Sequence, residues 1–150
     1  MIRRAAVVGC CAAFLGAGIA VAATLPGIPK AFQPYKSWHK VNAKLIRPTS
    51  TTAHPGTKNV YASKKKVAGR YPVGTLIVKE GFTTAGGKRF VSLIATMRKQ
   101  RGLDPAHGNW KFIEWTRSSP NARFTEIARD ATCWGCHAQA KRTDWVYTTR

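Results

Sequence analysis

The chain has 150 residues, 44% of them hydrophobic, and its 25 Lys and Arg side chains oppose only 6 Asp and Glu side chains, for a formal net charge of +19. This length and the absence of an evident internal repeat exclude a multidomain or solenoid protein and indicate one domain with a buried core. Such a basic chain is typical of nucleic-acid binding. The export signal in residues 1–22 disfavours that partner, because an exported protein seldom meets nucleic acid, and we expect no nucleic-acid partner.

Residues 1–22 have the pattern of a secretory signal peptide. Two arginines form the charged start, the apolar stretch 5–19 follows, and Ala20-Val21-Ala22 is a small-residue cleavage site. The apolar stretch is too short and too rich in Ala and Gly for a membrane span. We therefore expect a mature domain over residues 23–150, located in the periplasm, that keeps two of the four cysteines.

The rest of the chain is expected to alternate between short helices, strands and turns. Three prolines predict an extended segment at its start, and apolar residues at helical spacing predict a first short helix. Alternating apolar residues bounded by turn residues predict strands, two of them joined by a hairpin at Gly86-Gly87. The expected elements, in order, are the extended segment 24–34, a helix over 35–46, a strand at 59–63, strands at 75–82 and 89–97, a strand at 110–117, a helix over 123–130 and an extended tail or strand at 144–148.

Consecutive strands joined by short turns predict an α+β fold, an antiparallel sheet with flanking short helices in a single domain. Within the strand at 75–82, side chains alternate between the two faces of the sheet. Glu80 then shares a face with Leu76, Val78 and Phe82, whereas Lys79 lies on the other. Because Lys and Glu are rarely fully buried, the spacing alone favours an exposed Lys79 and a Glu80 at the rim or in an ion pair.

Cys133-Trp134-Gly135-Cys136-His137 is a C-x-x-C-H motif, typical of covalent attachment of a c-type haem. Each thiol can add to a haem vinyl group, and His137 can then bind the iron. A disulfide, a redox dithiol or half of a zinc site remain as alternatives, but the strand-to-helix context of thioredoxin-like dithiols is missing, and structural zinc needs four ligands. We therefore expect one covalent haem c, with Cys133 and Cys136 as attachment residues and His137 as the metal ligand.

Met97 is the only methionine after the leader and thus the only candidate for a methionine sixth ligand. His/Met ligation is typical of electron carriers. Without it the sixth position is open, and a small nitrogenous molecule such as hydroxylamine or nitric oxide can bind the iron. A haem oxidoreductase or ligand-binding protein and a plain electron-transfer cytochrome with six-coordinate haem are both retained.

Three segments, Tyr71–Glu80, Met97–Trp110 and Cys133–Thr148, resemble the cytochrome P-460 family in order and spacing. The likeness extends from about His54 to Thr148. It implies an antiparallel α+β domain with one c-type haem, in many members a homodimer. The chain is also similar to the cytochrome c-prime-beta relatives, which share this fold and bind nitric oxide.

The resemblance also implies roles for single residues. Cys133 and Cys136 match the thioether cysteines, and His137 matches the proximal ligand. Lys79 falls at the V-K-E position of the strand lysine that is cross-linked to the haem edge in true cytochrome P-460. This implication reverses the exposed position expected from spacing.

The distal side of the haem departs from the family pattern. The distal arginine of the family precedes a Val-Tyr pair, and Lys58 stands at that position here. An ammonium group lacks the planar fork of a guanidinium, which puts hydroxylamine turnover in doubt more than haem binding. Glu80 and Glu114 are the nearest candidates for a distal carboxylate.

The basic charge also bears on protein partners. Lysine and arginine clusters fit solvated turns better than one docking face, because they do not follow one periodic face. At least one cluster can still steer an acidic redox partner protein.

Overall fold

The computed structural model describes residues 24–48, 54 and 56–148, so the predicted signal peptide lies outside the described residues. One six-stranded antiparallel sheet forms the centre, and each strand pairs with its neighbour in the chain. The strands are β1 His39–Lys40, β2 Lys58–Ala62, β3 Leu76–Ala85, β4 Lys88–Lys99, β5 Trp110–Thr116 and β6 Thr125–Arg129. The helices are α1 Ala131–Ala138 and 3₁₀ helices at Lys30–Ser37, Pro105–His107 and Lys141–Thr143. The predicted α+β class is confirmed.

The β3–β4 hairpin turns at Gly86-Gly87, as predicted. Both glycines have positive φ, 55° and 73°, and the flanking pair is Ala85 with Lys88. Two left-handed residues in a two-residue loop match the twist of the flanking strands, a conformation that glycine adopts without a steric penalty. The strands continue further than the sequence indicated, because pairing between neighbours extends each ladder to the turn.

The two predicted helices were wrong. In place of a helix over 35–46, a 3₁₀ helix covers Lys30–Ser37 and so overlaps the end of the extended segment expected over 24–34. The backbone becomes extended at Trp38 and then forms the edge strand β1. In place of a helix over 123–130, the chain forms β6, which pairs with β5 from Thr116 to Ile113. At both places, backbone pairing with an open sheet edge outweighed the local preference for a helix.

The chain end at 144–148, expected as an extended tail or a strand, forms no strand, and residues 146–148 form no regular element. Asp144 and Trp145 have φ of 58° and 66° and form a turn after the last 3₁₀ helix. No helix among the described residues is long and apolar enough to cross a membrane.

The sheet has two buried faces. The 3₁₀ helix Lys30–Ser37 packs on one of them, here called the outer face, through Phe32 and Tyr35, which meet Val78 and Ile94. The opposite face, here called the cavity face, is covered by α1 and the chain end. Its apolar residues include Val60, Ile77, Met97, Phe112 and Val146. The predicted alternation along β3 is confirmed, and it separates Lys79 from Glu80.

Glu80 is fully buried on the outer face. Its carboxylate accepts hydrogen bonds from Tyr35 Oη at 2.7 Å, Asn59 Nδ2 at 2.9 Å and Tyr61 Oη at 3.1 Å, and it forms an ion pair with Lys36. Burial and the nearby carboxylate raise the pKa of Tyr61 to about 12, and they also raise the pKa of Tyr35. Glu80 therefore joins the 3₁₀ helix to the sheet.

Candidate functional site

A partly open cavity of about 210 Å³ lies between the cavity face of the sheet and α1. Its walls are mainly apolar. The sheet contributes two parallel rows of side chains, and α1 and the chain end provide the opposite wall. The first row is Val60, Lys79, Ala95, Glu114 and Ala128, and the second is Ile77, Met97 and Phe112.

The rows follow from strand register. Directly paired residues of neighbouring antiparallel strands have their side chains on the same face. Lys79 pairs with Val60 on one side and Ala95 on the other, and Ala95 pairs with Glu114. This pairing brings Lys79 and Glu114, which are 35 positions apart in the chain, into one row.

The start of α1 is fixed against β5. Asp130 Oδ1 accepts a hydrogen bond from the Phe112 amide at 2.9 Å, and the Asp130 amide donates to Phe112 O at 3.1 Å. Asp130 O then accepts from the Cys133 amide at 2.8 Å. Because residues three and four apart share one side of a helix, Cys133, Cys136 and His137 all face the cavity.

Both cysteines are free thiols. Burial raises the pKa of Cys133 to about 11, and the negative charge of Glu114 adds to this effect. Cys133 is therefore an uncharged thiol at neutral pH. An uncharged Cys133 thiol next to an apolar cavity suits thioether formation better than redox exchange, which needs a thiolate.

His137 is buried, and its ring orientation is fixed. Nδ1 lies 2.6 Å from the carbonyl oxygen of Trp145. A carbonyl only accepts, so Nδ1 carries the proton and Nε2 keeps its lone pair. Burial, with Lys79 next in importance, lowers the pKa of His137 to about 4, which keeps the ring neutral at neutral pH. This is the state in which imidazole binds a metal.

Aromatic rings hold His137 from two sides. The Phe112 ring lies 4.8 Å from the imidazole, centroid to centroid, and the Tyr147 ring lies 5.5 Å away. Tyr147 Oη also donates a hydrogen bond to Cys136 O, which ties the chain end to the motif. The imidazole is therefore positioned before any ligand binds.

Trp134, between the two cysteines, stacks on His107 with 3.9 Å between ring centroids and an interplanar angle of 5°. His107 Nδ1 lies 2.6 Å from Asp104 Oδ2. The 3₁₀ helix Pro105–His107 therefore supports α1 from outside the cavity. No helix was expected between the strands predicted at 89–97 and 110–117.

Lys79 lines the cavity, as the resemblance implied and the spacing did not. Its Nζ lies 5.4 Å from the centre of the Tyr147 ring. Burial is the main cause of both pKa shifts; the positive charge of Lys79 adds to the lowering of the His137 pKa and opposes part of the rise in the Cys133 pKa. The structure thus brings Lys79 together with the three residues of the C-x-x-C-H motif.

Glu114 is the carboxylate in the cavity, and Glu80 is not. Glu114 is buried, and its Oε1 lies 3.0 Å from His54 Nδ1. His54 also lines the cavity, and its side chain is 21% exposed. Sequence reasoning missed His54 as a site residue, because nothing in its spacing links it to the motif.

Lys58 lies on the cavity face at the start of β2 but does not line the cavity. It is 2% exposed, and its Nζ donates a hydrogen bond to Gly56 O at 2.8 Å. Burial lowers its pKa. Its described hydrogen bond fixes the backbone before β2, and this position does not support the distal role that the resemblance implied.

The donor set fits a c-type haem. Two thiols and one imidazole are fewer than the four ligands of structural zinc, and no three His, Cys, Asp or Glu side chains in the described part of the chain are grouped around a metal position. A haem would bring four nitrogen ligands of its own. The protein would then have to add an imidazole ligand and two attachment thiols beside an apolar cavity, and His137, Cys133 and Cys136 provide them.

A family model described as Cytochrome P460 matches residues 32–148. The chain belongs to the cytochrome P460 family. No curated protein matches it. The family match spans both faces of the sheet and all of the cavity wall from β2 to Tyr147, and it identifies the chain as a haem-binding cytochrome.

Proposed function

We propose that this P460-family chain is a periplasmic cytochrome with one haem c attached to Cys133 and Cys136, with His137 as the axial ligand. We further propose that it oxidises hydroxylamine or binds nitric oxide. One observation carries the proposal: both thiols and His137 face the same cavity that Lys79 and Glu114 enter from the sheet. A bound haem would supply a redox-active iron with a coordination position for a small nitrogenous molecule.

His137 contributes an oriented, neutral imidazole. Its Nδ1–H donates to the Trp145 carbonyl, and such a hydrogen bond makes the other nitrogen a stronger donor to a metal. The adjacent Phe112 ring limits rotation of the imidazole. These contacts support the assignment of His137 as the iron ligand.

The position of Met97 disfavours the electron-carrier alternative. Met97 pairs with Phe112 across β4 and β5, and Phe112 packs against His137. Met97 thus lies on the sheet beside the ring that packs against His137, and we propose that it would not bind the iron. His137 would then be the protein ligand, and a further coordination position would be open to a small molecule.

Glu114 and His54 can move protons at the other row. Oxidation of hydroxylamine releases protons, and a carboxylate in the cavity can accept one. The 3.0 Å contact between Glu114 and the partly exposed His54 provides a route from Glu114 towards solvent. We propose Glu114 as the general base and His54 as its proton exchange partner.

Lys79 is proposed to bond covalently to the haem edge. Its amine lines the cavity beside Cys133 and His137. In this step one amine N–H and one C–H of the haem edge would be replaced by a C–N bond, which releases two protons and two electrons, so an external two-electron oxidant such as a peroxide would have to take up the electrons. The bond would provide a third tether beyond the two thioethers.

Optical spectroscopy of the ferrous protein, with and without nitric oxide, tests the open site. The protein is produced in a strain competent for c-type maturation, and Cys133→Ala/Cys136→Ala serves as the control. We expect wild-type colour to survive acid–acetone extraction and nitric oxide to change the spectrum rapidly. A colourless protein would contradict haem attachment, and an attached haem that does not react with nitric oxide would favour the carrier.

Location and partners follow from the same proposal. We propose export with cleavage before Ala23, and intact-mass measurement of periplasmic protein checks it. Cleavage would remove Arg3 and Arg4 and lower the formal net charge from +19 to +17, which still suits an acidic redox partner. Electron transfer to such a partner should slow as ionic strength rises. We also propose a homodimer, which sedimentation measures directly.

A further inference from the structure

The turn that ends the cavity wall is strained. Asp144 and Trp145 are consecutive residues with φ of 58° and 66°, and neither is glycine. Side chains other than glycine are disfavoured in this left-handed region, so such a turn persists only where surrounding contacts fix it. Strain of this kind is found where a backbone group has to be aimed at a site.

Asp144 is the residue that the contacts fix. It is 4% exposed, and its Oδ1 accepts a hydrogen bond from Lys99 Nζ at 2.6 Å. Its Oδ2 accepts from the Tyr71 amide at 2.8 Å, and its backbone oxygen accepts from Trp110 Nε1 at 2.9 Å. Lys99 is itself buried, with Nζ 4.6 Å from the centre of the Trp110 ring. Strands β4 and β5 and the loop before β3 therefore all hold one turn.

Trp145, the next residue, carries the acceptor for the proximal histidine. Its amide donates to Ala140 O at 2.8 Å, and its carbonyl accepts from His137 Nδ1 at 2.6 Å. The Trp145 ring packs closely at Gly108, where an added Cβ would come within 2.6 Å of Trp145 Cδ1. The direction of the Trp145 carbonyl thus depends on the backbone angles that the Asp144 contacts maintain.

We propose that the buried Lys99–Asp144 ion pair is a positioning device for His137. The pair holds the left-handed turn, the turn aims the Trp145 carbonyl at Nδ1, and that hydrogen bond sets the ring orientation and donor strength of Nε2. This inference rests on the proposed role of His137 as the iron ligand. Lys99 and Asp144 are positioning residues, since neither lines the cavity.

The pair should influence the reduction potential of the iron. A hydrogen bond to Nδ1 increases electron donation from Nε2 and favours the oxidised metal. Loss of the pair frees the turn, weakens the bond and raises the potential. Mutation of the residues that hold a metal ligand in place typically costs 10–100-fold in metal affinity or activity. We expect about a tenfold shift in the oxidised-to-reduced ratio at a fixed ambient potential, or about 59 mV for one electron.

The experiment compares Lys99→Met, Asp144→Asn and Lys99→Arg as haem-loaded proteins. Asp144→Asn removes the negative charge of the pair but keeps a side-chain acceptor and a residue that tolerates left-handed backbone angles. Lys99→Arg keeps the positive charge. Arg98→Met is the matched control, because it removes a neighbouring β4 cation whose side chain lies on the outer face near Phe32. Reduction potential and the iron–histidine stretching frequency of the ferrous protein are measured by titration and resonance Raman spectroscopy.

We expect Lys99→Met and Asp144→Asn to raise the potential and lower the stretching frequency, Lys99→Arg to restore most of both, and Arg98→Met to change neither. If Lys99→Met does not accumulate, the reduction potentials and stretching frequencies of Asp144→Asn and Lys99→Arg are compared with each other and decide the question. Unchanged potential and frequency in the variants, even with lower stability, would overturn the positioning role. A wild-type protein without an iron–histidine band would instead overturn the proposed function.

Discussion

Glu80→Ala should destabilise the protein strongly while leaving the haem site intact. Glu80 is 0% exposed and serves as the acceptor for two buried tyrosine hydroxyls and the Asn59 amide. Removing the carboxylate leaves these donors without their acceptor. The side chain lies on the outer face, so it shares no wall with the cavity.

The magnitude follows from those contacts. Each buried donor left unpaired costs about 1–3 kcal/mol, so the hydroxyls of Tyr35 and Tyr61 alone cost about 2–6 kcal/mol. No longer burying a charge offsets part of this cost. We expect a loss of about 3 kcal/mol in the free energy of unfolding. Lys36→Met should cost much less, about 0–1 kcal/mol, because the lysine side chain is 53% exposed.

Urea denaturation of the haem-loaded proteins measures the difference, with Glu80→Gln as the matched variant. Glutamine keeps one acceptor oxygen and nearly the same volume, so its loss should be smaller than that of alanine. Nitric oxide binding and the optical spectrum should be unchanged in both. A Glu80→Ala protein with wild-type stability would refute the structural role. If that protein had also lost hydroxylamine turnover, Glu80 would again be a candidate catalytic residue.

Three further predictions concern the cavity and pH. Glu114→Gln should lower the rate of hydroxylamine oxidation about 10²–10⁴-fold, and His54→Ala should lower it less, while both variants still bind nitric oxide. Steady-state rates and nitric oxide binding spectra measure these effects. An equal loss of nitric oxide binding would contradict a role in proton transfer. Lys79→Leu should keep the haem on both cysteines but restore an ordinary c-haem spectrum, and tryptic mass spectrometry of the wild type should find no free peptide that begins after Lys79. Burial, with Asp144 second, raises the pKa of Tyr71 from 10 to about 12. Because the pKa of Tyr71 is higher in the folded state, the contribution of Tyr71 to stability is complete below pH 10 and is lost as pH rises through 12. Tyrosinate absorbance during alkaline unfolding checks this expectation. Ionisation of Tyr71 near pH 10 in the folded protein would refute it.

Local signals in the sequence determined the parts of the fold that depend on neighbouring residues. The C-x-x-C-H motif brings two thiols and an imidazole to one side of any helix that contains it, whatever packs against that helix. Gly86-Gly87 specified the hairpin, since two adjacent residues that tolerate positive φ suffice for a two-residue loop. Period-two alternation correctly separated Lys79 from Glu80, because it is a property of the extended backbone alone.

Only the tertiary structure decided which remote groups meet. A helix was expected over residues 123–130, yet the backbone of Thr125–Arg129 pairs with β5, because pairing with an open strand gains more than local propensity. Alternation could not say which face of β3 holds the cavity, and that choice excludes Glu80 and includes Glu114. His54 reaches Glu114, and the Lys99–Asp144 pair reaches the turn behind His137, through register and packing between distant segments. Such contacts depend on the arrangement of the whole sheet, and no spacing along the chain encodes them.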